Sequence, residues 1–423
     1  MTDQAGTENT ESVESFRLRA RDWISANLPR LAGAVGEGGG RSGVGFDDEA
    51  WIRARELQNL LYNGGFAGIC YPVEYGGLGL MPEHQRAFSE EATGYEMPLI
   101  LNIPTFSICA PTVLDLGTEE QKREHISAVI RGEEVIVQFL SEPSGGSDLA
   151  GARTRATRDG DVFVLNGSKT WSSGAYAADY GMCLARTDWD APKHRGLTMF
   201  LIKVNQPGID IRRIKQINGN QEFCEEFFDD LQVPLSAVVG EVNGGWSVAS
   251  RMLFHERNAV GGGSPYVSGT TSAPQRGSSV DTLVDLVRRT GQAGDQRVRE
   301  LVAESYALTR VQEHLIDRVV AGMASQQLPP PASAIIRLFG GERVTRRAEI
   351  ALEIAGASAA GPDPAHPDDR DIGENFLFRQ AGSLGGGSTE MARNIISERV
   401  LGMPREYAPD RDVPFNQVKR GRT

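Results

Sequence analysis

The spacing of apolar positions divides the chain into three stretches. Over residues 1–135 the pattern is mostly helical: in EAWIRARELQNLLYN the residues Trp51, Leu57, Leu60 and Leu61 recur at helical spacing. Asp47 and Asp48 stand where an N-cap is wanted, and Gly64-Gly65 follows as a stop. Over 136–243 the period shortens. EVIVQFLSE, DVFVLNGSKTW, YGMCLARTD, GLTMFLIKV and CEEFFDDLQVP are short runs rich in β-branched and aromatic residues, parted by turn signals at Asp159-Gly160-Asp161, Asn166-Gly167 and Gln206-Pro207-Gly208. This predicts a compact, largely antiparallel β-domain. Helical patterning returns over 244–407 in WSVASRMLFHERN, SVDTLVDLVRRTG, RVRELVAESYALTRVQEHLIDRVVAGMA and RVTRRAEIALEIAGA, as in a bundle, and 408–423 reads as a tail. RLAGAVGEGGGRSGVG is expected to be a flexible surface loop, and NAVGGGSPYVSGTTSAPQRGSS a mobile loop whose length hints at function.

The order helices, strands, helices is not the βαβ alternation of a doubly wound nucleotide fold. With 423 residues, two or three packed domains are expected. The 56 acidic against 44 basic residues, net −12, oppose attraction to nucleic acid or anionic lipid. The polar start MTDQAGTENTESVESF lacks a signal-peptide pattern and no run suggests a membrane span, so a cytoplasmic protein is expected. Cys70, Cys109, Cys183 and Cys224 are scattered, which reads as free thiols, and no His/Cys cluster has metal-ligand spacing.

Six blocks carry chemistry: YPVEYGGLGL at 71–80, FLSEPSGGSDLAGARTRA at 139–156, LNGSKTWSSGAYAADYGMCLARTD at 165–188, FFDDLQVP at 227–234, GEVNGGW at 240–246 and GGGSTEMARNIISERVLGMPRE at 385–406. Together, in this order, they resemble the acyl-CoA dehydrogenase family across nearly the whole chain. The resemblance implies an α+β fold with an N-terminal helical domain, a middle β-barrel and a C-terminal four-helix bundle, with FAD between domains. It places Leu140 and Ser141, with Gln138 nearby, against the polar edge of the isoalloxazine, where Gly145 and Gly146 let the backbone turn close to a ligand. Ser147 matches a CoA contact. Trp171 matches the aromatic against the flavin ring and Ser173 the hydroxyl near N5, with Ser172 between them among the cofactor residues.

Removing the α-proton of a thioester needs a carboxylate in a water-poor slot. Most of the family carries it near the carboxy terminus, where this sequence has Gly386. A minority, typified by isovaleryl-CoA and long-chain acyl-CoA dehydrogenases, takes it from the first helix of the C-terminal domain, as a Glu followed by Arg. His255-Glu256-Arg257 stands at that place, which makes Glu256 the expected base and Arg257 a residue near the thioester or pantetheine arm. Ser388 matches a cofactor-contacting hydroxyl, and Glu390 falls where the family has a flavin-contacting Gln. Two departures remain: Glu353 replaces a common Gln, and the arginine that grips the FAD pyrophosphate has no clear counterpart, Arg288 and Arg289 being its weak substitutes.

The expected reaction is flavin-dependent α,β-dehydrogenation of a bulky or branched acyl-CoA, with an electron-transfer flavoprotein as acceptor and a homotetramer or mixed tetramer as the assembly. Thioester-oxygen donors, flavin ribityl hydroxyl and backbone N–H, are implied by the same resemblance. Two other readings stay open: a subunit that completes only half of the flavin sites in a mixed tetramer, and a flavin monooxygenase or nitroalkane-oxidising relative on the same fold.

Overall fold

A computed structural model describes residues 11–31, 47–260, 263–270, 278–361 and 369–418. Most of the first Gly-rich segment lies outside the described residues. The N-terminal part is helical because apolar residues fall on one face of each helix. In α1 (Val13–Asn27) Phe16, Ala20 and Ile24 are buried at four-residue spacing, and Ser12 caps the helix by accepting from the Ser15 amide. In α2 (Asp48–Asn63) Asp47 is the cap and Trp51, Ala54, Leu57, Gln58 and Leu61 face inward. After α3 (Pro82–Glu91), a π-helical segment, Asn102–Cys109, runs into α4 (Ala110–Leu116). The domain closes with α5 (Glu119–Gln121) and α6 (Ser127–Arg131), joined by a second π-helical stretch, Lys122–Ile126. Leu99–Leu116 is long and apolar enough to cross a membrane by composition, but 72% of it is buried inside the protein, which accounts for its apolarity.

The middle sheet has eight strands: β1 (Ile136–Phe139), β2 (Arg155–Asp159), β3 (Val162–Ser173), β4 (Tyr180–Arg186), β5 (Leu197–Lys203), β6 (Ile209–Arg213), β7 (Phe223–Pro234) and β8 (Val238–Val239). They lie in the order β6-β7-β3-β2-β4-β5-β8, with β1 added beside β4. All pairings are antiparallel except β1 with β4 and the single β2–β4 bridge at Arg155 and Arg186. The apolar pattern predicts β1, β3, β4, β5 and β7. It misses the two-residue β8 and also β2 and β6, whose sequences RATRD and IDIRR are polar and mostly solvent-facing, so the strand state of those two comes from pairing with β3 and β7.

The C-terminal helices are α7 (Gly245–Val260), α8 (Ser278–Arg289), α9 (Gln296–Ala324), α10 (Ser333–Ala355), α11 (Ala357–Ala360), α12 (Asp369–Phe378), α13 (Ala381–Leu384) and α14 (Thr389–Ile395). They do not share one core. Val248, Ala249 and Met252 of α7 join the large core that runs through the N-terminal helices and the sheet, whereas Leu283, Leu286, Val298, Leu301, Ile350 and Ile354 form a separate cluster under α8–α10. The first helix of the C-terminal part is therefore anchored to the other two domains. The described part of the following loop, 263–270, is pinned instead of mobile: Ser268 donates to Gln58 Oε1 at 2.5 Å, Asn102 donates to the Thr270 carbonyl at 2.8 Å, and Tyr266 lies 4.7 Å from the Tyr71 ring.

Candidate active site

α7 begins where only glycine fits. A Cβ on Gly245 would stand 2.6 Å from the Thr198 carbonyl carbon and 2.7 Å from the Met199 amide, so the missing side chain lets the helix start against β5. Three turns later, His255 turns inward and its Nε2 meets Asp115 Oδ2 at 2.7 Å, while Arg251 Nε donates to the same oxygen at 2.5 Å. Burial pushes the Asp115 carboxyl up, but these two hydrogen bonds outweigh it and hold Asp115 below the ordinary carboxylate value. The next residue, Glu256, is half-buried where the N-terminal domain, the sheet and the bundle meet.

Gln138 of β1 donates its side-chain amide to Glu256 Oε2 at 2.9 Å. The other oxygen faces the glycine loop after α13: a Cβ on Gly386 would stand 3.6 Å from Glu256 Oε1, 3.5 Å from Val260 Cγ2 and 3.8 Å from Arg337 Nε. The two family positions for a base thus open on one space. Gly386 has φ of 73°, in the left-handed region. Arg337 of α10 holds the loop by donating to the Gly385 carbonyl at 2.7 Å. Burial lowers the Arg337 guanidinium from its ordinary value against the opposing pull of Glu256, and burial lowers Arg257 in the same way, with Glu256 opposing and Arg399 adding. Cys109, at the end of the π-helical segment, is raised by complete burial and further by Glu256.

At the end of β3 the structure brings two of the expected segments together. The Thr170 amide donates to the Ser141 carbonyl at 3.0 Å, and Lys169 Nζ to the Leu140 carbonyl at 3.0 Å, so the segment after β1 is laid along the end of β3. There Trp171 sits in a bulge with φ of 65°, 57% exposed, edge-on to Phe223 at 5.8 Å. A left-handed bulky residue with an exposed ring is costly in isolation and is the kind of strain found where a ligand is held. Ser173 is half-buried beside it. Ser172 faces the other way: its hydroxyl is buried and donates to Glu226 Oε2 at 2.8 Å, because alternate residues of a strand point to opposite sides.

The remaining expected residues are dispersed. Ser147 is exposed in the loop after β1, and Arg257 is half-buried on α7 next to Glu256. Ser388 caps α14 by accepting from the Met391 amide at 3.2 Å. Glu390 is largely exposed, with local contacts to Thr389 and, at 3.7 Å, to Arg393. Glu353 meets Arg297 at 3.2 Å, and exposed Arg288 meets Asp285 at 3.1 Å.

Sequence reasoning missed a buried charge cluster behind Trp171. Lys169 is fully buried and bonds Glu142 Oε1 at 2.9 Å; Glu142 also accepts from the Arg153 amide at 2.7 Å, the Thr154 amide at 2.8 Å and the Thr154 hydroxyl at 2.7 Å. Burial pushes Glu142 up, yet Lys169 and Thr154 keep it below its ordinary value. Glu226, opposite Lys169 in the β3–β7 register, is pushed by burial up to about 8. The available signal was parity: Glu226 shares its side of β7 with Cys224 and Phe228. Arg337 carried no signal in the sequence.

The N-terminal helices, the sheet and the C-terminal helices meet at half-buried Glu256, and the end of β3 presents the exposed Trp171. Family models for the acyl-CoA dehydrogenase N-terminal, middle and C-terminal domains match residues 10–133, 138–231 and 243–401. The chain is 34% identical over 398 residues to acyl-CoA dehydrogenase IpdE1 of Mycobacterium tuberculosis, covering 94% of this chain and 99% of that one. It is 32% identical over 213 residues to mitochondrial isovaleryl-CoA dehydrogenase of Pongo abelii, covering 49% of this chain and 50% of that one. A solved structure described as the Tcur3481-Tcur3483 steroid ACAD superposes with a TM-score of 0.74 at 27% identity, covering 96% of this chain and 100% of that one. The chain belongs to the acyl-CoA dehydrogenase family, whose members are oxidoreductases.

Proposed function

We propose that this chain introduces the α,β double bond into a CoA thioester with a bulky or branched acyl group, and that Glu256 is its α-proton base. The observation that carries this reading is the approach of Glu256 Oε1 to within 3.6 Å of a Cβ on Gly386, which lets α7 supply the carboxylate that the glycine loop lacks. Glu256 takes the α-proton on a carboxylate oxygen as the α C–H bond breaks, and the Cα=Cβ bond forms as the β-hydrogen leaves with its electron pair. FAD, when bound, supplies the hydride acceptor for that β-hydrogen.

The exposed Trp171 ring and neighbouring Ser173, with the Leu140–Ser141 backbone held by Lys169 and Thr170, form a flat, water-excluding wall that fits an isoalloxazine. Arg257 and Ser147 are assigned to the CoA arm. Gly385, Gly386 and Gly387 leave one wall of the acyl pocket without side chains, and a relative described as a steroid ACAD supports a bulky substrate such as a steroid side-chain or polyketide thioester. The same description pairs two gene products, which supports a mixed tetramer; exposed Tyr306, Val311 and Val320 on α9 leave apolar surface for such an assembly. An electron-transfer flavoprotein is assigned as the acceptor from the family resemblance.

The test is single-turnover flavin reduction by a panel of acyl-CoA thioesters under anaerobic conditions. Glu256→Gln should retain flavin and cut the rate by about 10⁴ or more, the upper range for loss of a general base. Near-wild-type reduction by this variant would sink the assignment. A half-site subunit is the second reading, favoured because, among the described residues, Arg288 contacts Asp285, Glu353 contacts Arg297 and no cation is assigned to the pyrophosphate. Flavin content of the chain expressed alone separates the two.

A further inference from the structure

The amide of Gln138 is directed at Glu256 and not at a cofactor wall. Gln138 sits on β1 between Val137 and Phe139, both fully buried, in parallel register with Met182 of β4, so its backbone has little freedom. Glu256 is one residue beyond His255, whose contact with Asp115 ties α7 to α4. The donor and acceptor of the 2.9 Å hydrogen bond therefore come from two rigid elements in different domains.

This arrangement distinguishes the two carboxylate oxygens. Oε2 accepts from Gln138, while Oε1 faces the space bounded by Gly386, Val260 and Arg337. A glutamate on a half-open helix face has several side-chain rotamers, and a donor on one oxygen selects among them. Among the described residues, the charged and titratable groups that act on Glu256 include Arg257 on its own helix, Arg337 on α10 and Cys109 on the π-helical segment; β1 contributes the neutral amide.

We propose that Gln138 is a positioning residue for the base: its amide holds Glu256 Oε2 and so fixes the rotamer in which the carboxylate meets the α-proton. The proposal rests on the reading of Glu256 as base. Its alternative is the flavin contact expected from the sequence.

Two variants of similar length test it. Gln138→Met removes the donor; it should keep flavin content and melting temperature, leave KM close to wild type and slow single-turnover flavin reduction by about 10- to 100-fold, the scale of a misaligned reacting group. In a Glu256→Gln background the same change should cause no further loss. Gln138→Glu places a second carboxylate on Glu256, which disfavours ionisation of the base. The acid limb of the pH–rate profile should then move up by about one unit or more, with the rate recovering at alkaline pH. An unchanged rate with Gln138→Met and an unmoved profile with Gln138→Glu overturn the proposal. So does loss of flavin from Gln138→Met, which returns the residue to the cofactor. Fast reduction by Glu256→Gln alone identifies failure of the base assignment itself, whatever Gln138 does.

Discussion

Two of the charged groups that the described residues keep from bulk water are built differently. Behind Trp171, Glu142 is saturated: the carboxylate accepts from two backbone amides, a hydroxyl and the Lys169 ammonium, all within 2.9 Å. At the domain junction, Glu256 has Gln138 on one oxygen, and its other oxygen faces a loop of glycines. A saturated buried pair holds backbone in place, because removing either partner strands the other. A carboxylate held by one amide at a junction of domains is fixed by far fewer contacts. The first group fixes the backbone at the end of β3; the second joins residues of different domains.

Breaking the saturated pair should have the largest effect on stability. Lys169→Met leaves Glu142 buried without its cation and should cost about 3–5 kcal/mol, read by denaturant titration with loss of flavin content. Glu256→Gln, by contrast, should change stability by less than about 1 kcal/mol while abolishing flavin reduction. If both variants destabilised equally, the contrast between the two groups would fail.

Glu226 sharpens the comparison through pH. Its folded-state value, about 8, lies above the ordinary 4.5. Below about 4.5 both folded and unfolded forms are protonated and the group contributes nothing. As pH rises toward 8 the unfolded chain releases a proton that the folded chain keeps, so stability is lost across this window. Glu226→Gln should remove that loss, gaining roughly 2–4 kcal/mol relative to wild type between pH 5 and pH 8 in thermal or denaturant unfolding. A constant difference across the range would mean that Glu226 is ionised in the fold.

Moving the base tests whether the two family positions share one space. Glu256→Gly with Gly386→Glu should regain about 10- to 100-fold over Glu256→Gln in single-turnover reduction, short of wild type because φ of 73° strains any residue but glycine. The smallest stability effect should come from Trp171→Ala, under about 1 kcal/mol for a side chain that is 57% exposed. Its readout is weaker flavin retention and a shifted absorption band, and unchanged spectra would return Trp171 to a merely surface role.

The fold was readable in outline because alternation and helical spacing are local. Cap residues such as Asp47 and runs such as β4 and β5 declare themselves, and six ordered blocks carry the family. The β2 and β6 strands were not readable, since a polar strand forms only when a neighbour offers its hydrogen bonds. Within the candidate site, Trp171 and Glu256 stand at positions marked by their neighbours in sequence. Ser172 was grouped with the flavin residues, but strand parity turns it to Glu226, a partner 54 residues away.

By itself the sequence determined the three-part organisation and the family, and it marked Glu256 as the candidate carboxylate where Gly386 carries none. Tertiary structure alone decided which groups meet that carboxylate. Gln138 and Glu256 are 118 residues apart, and Arg337 and Gly386 come from still later helices and loops. Local pattern encodes which face of each element is apolar, whereas the partner of a single polar atom depends on how rigid elements from different domains dock.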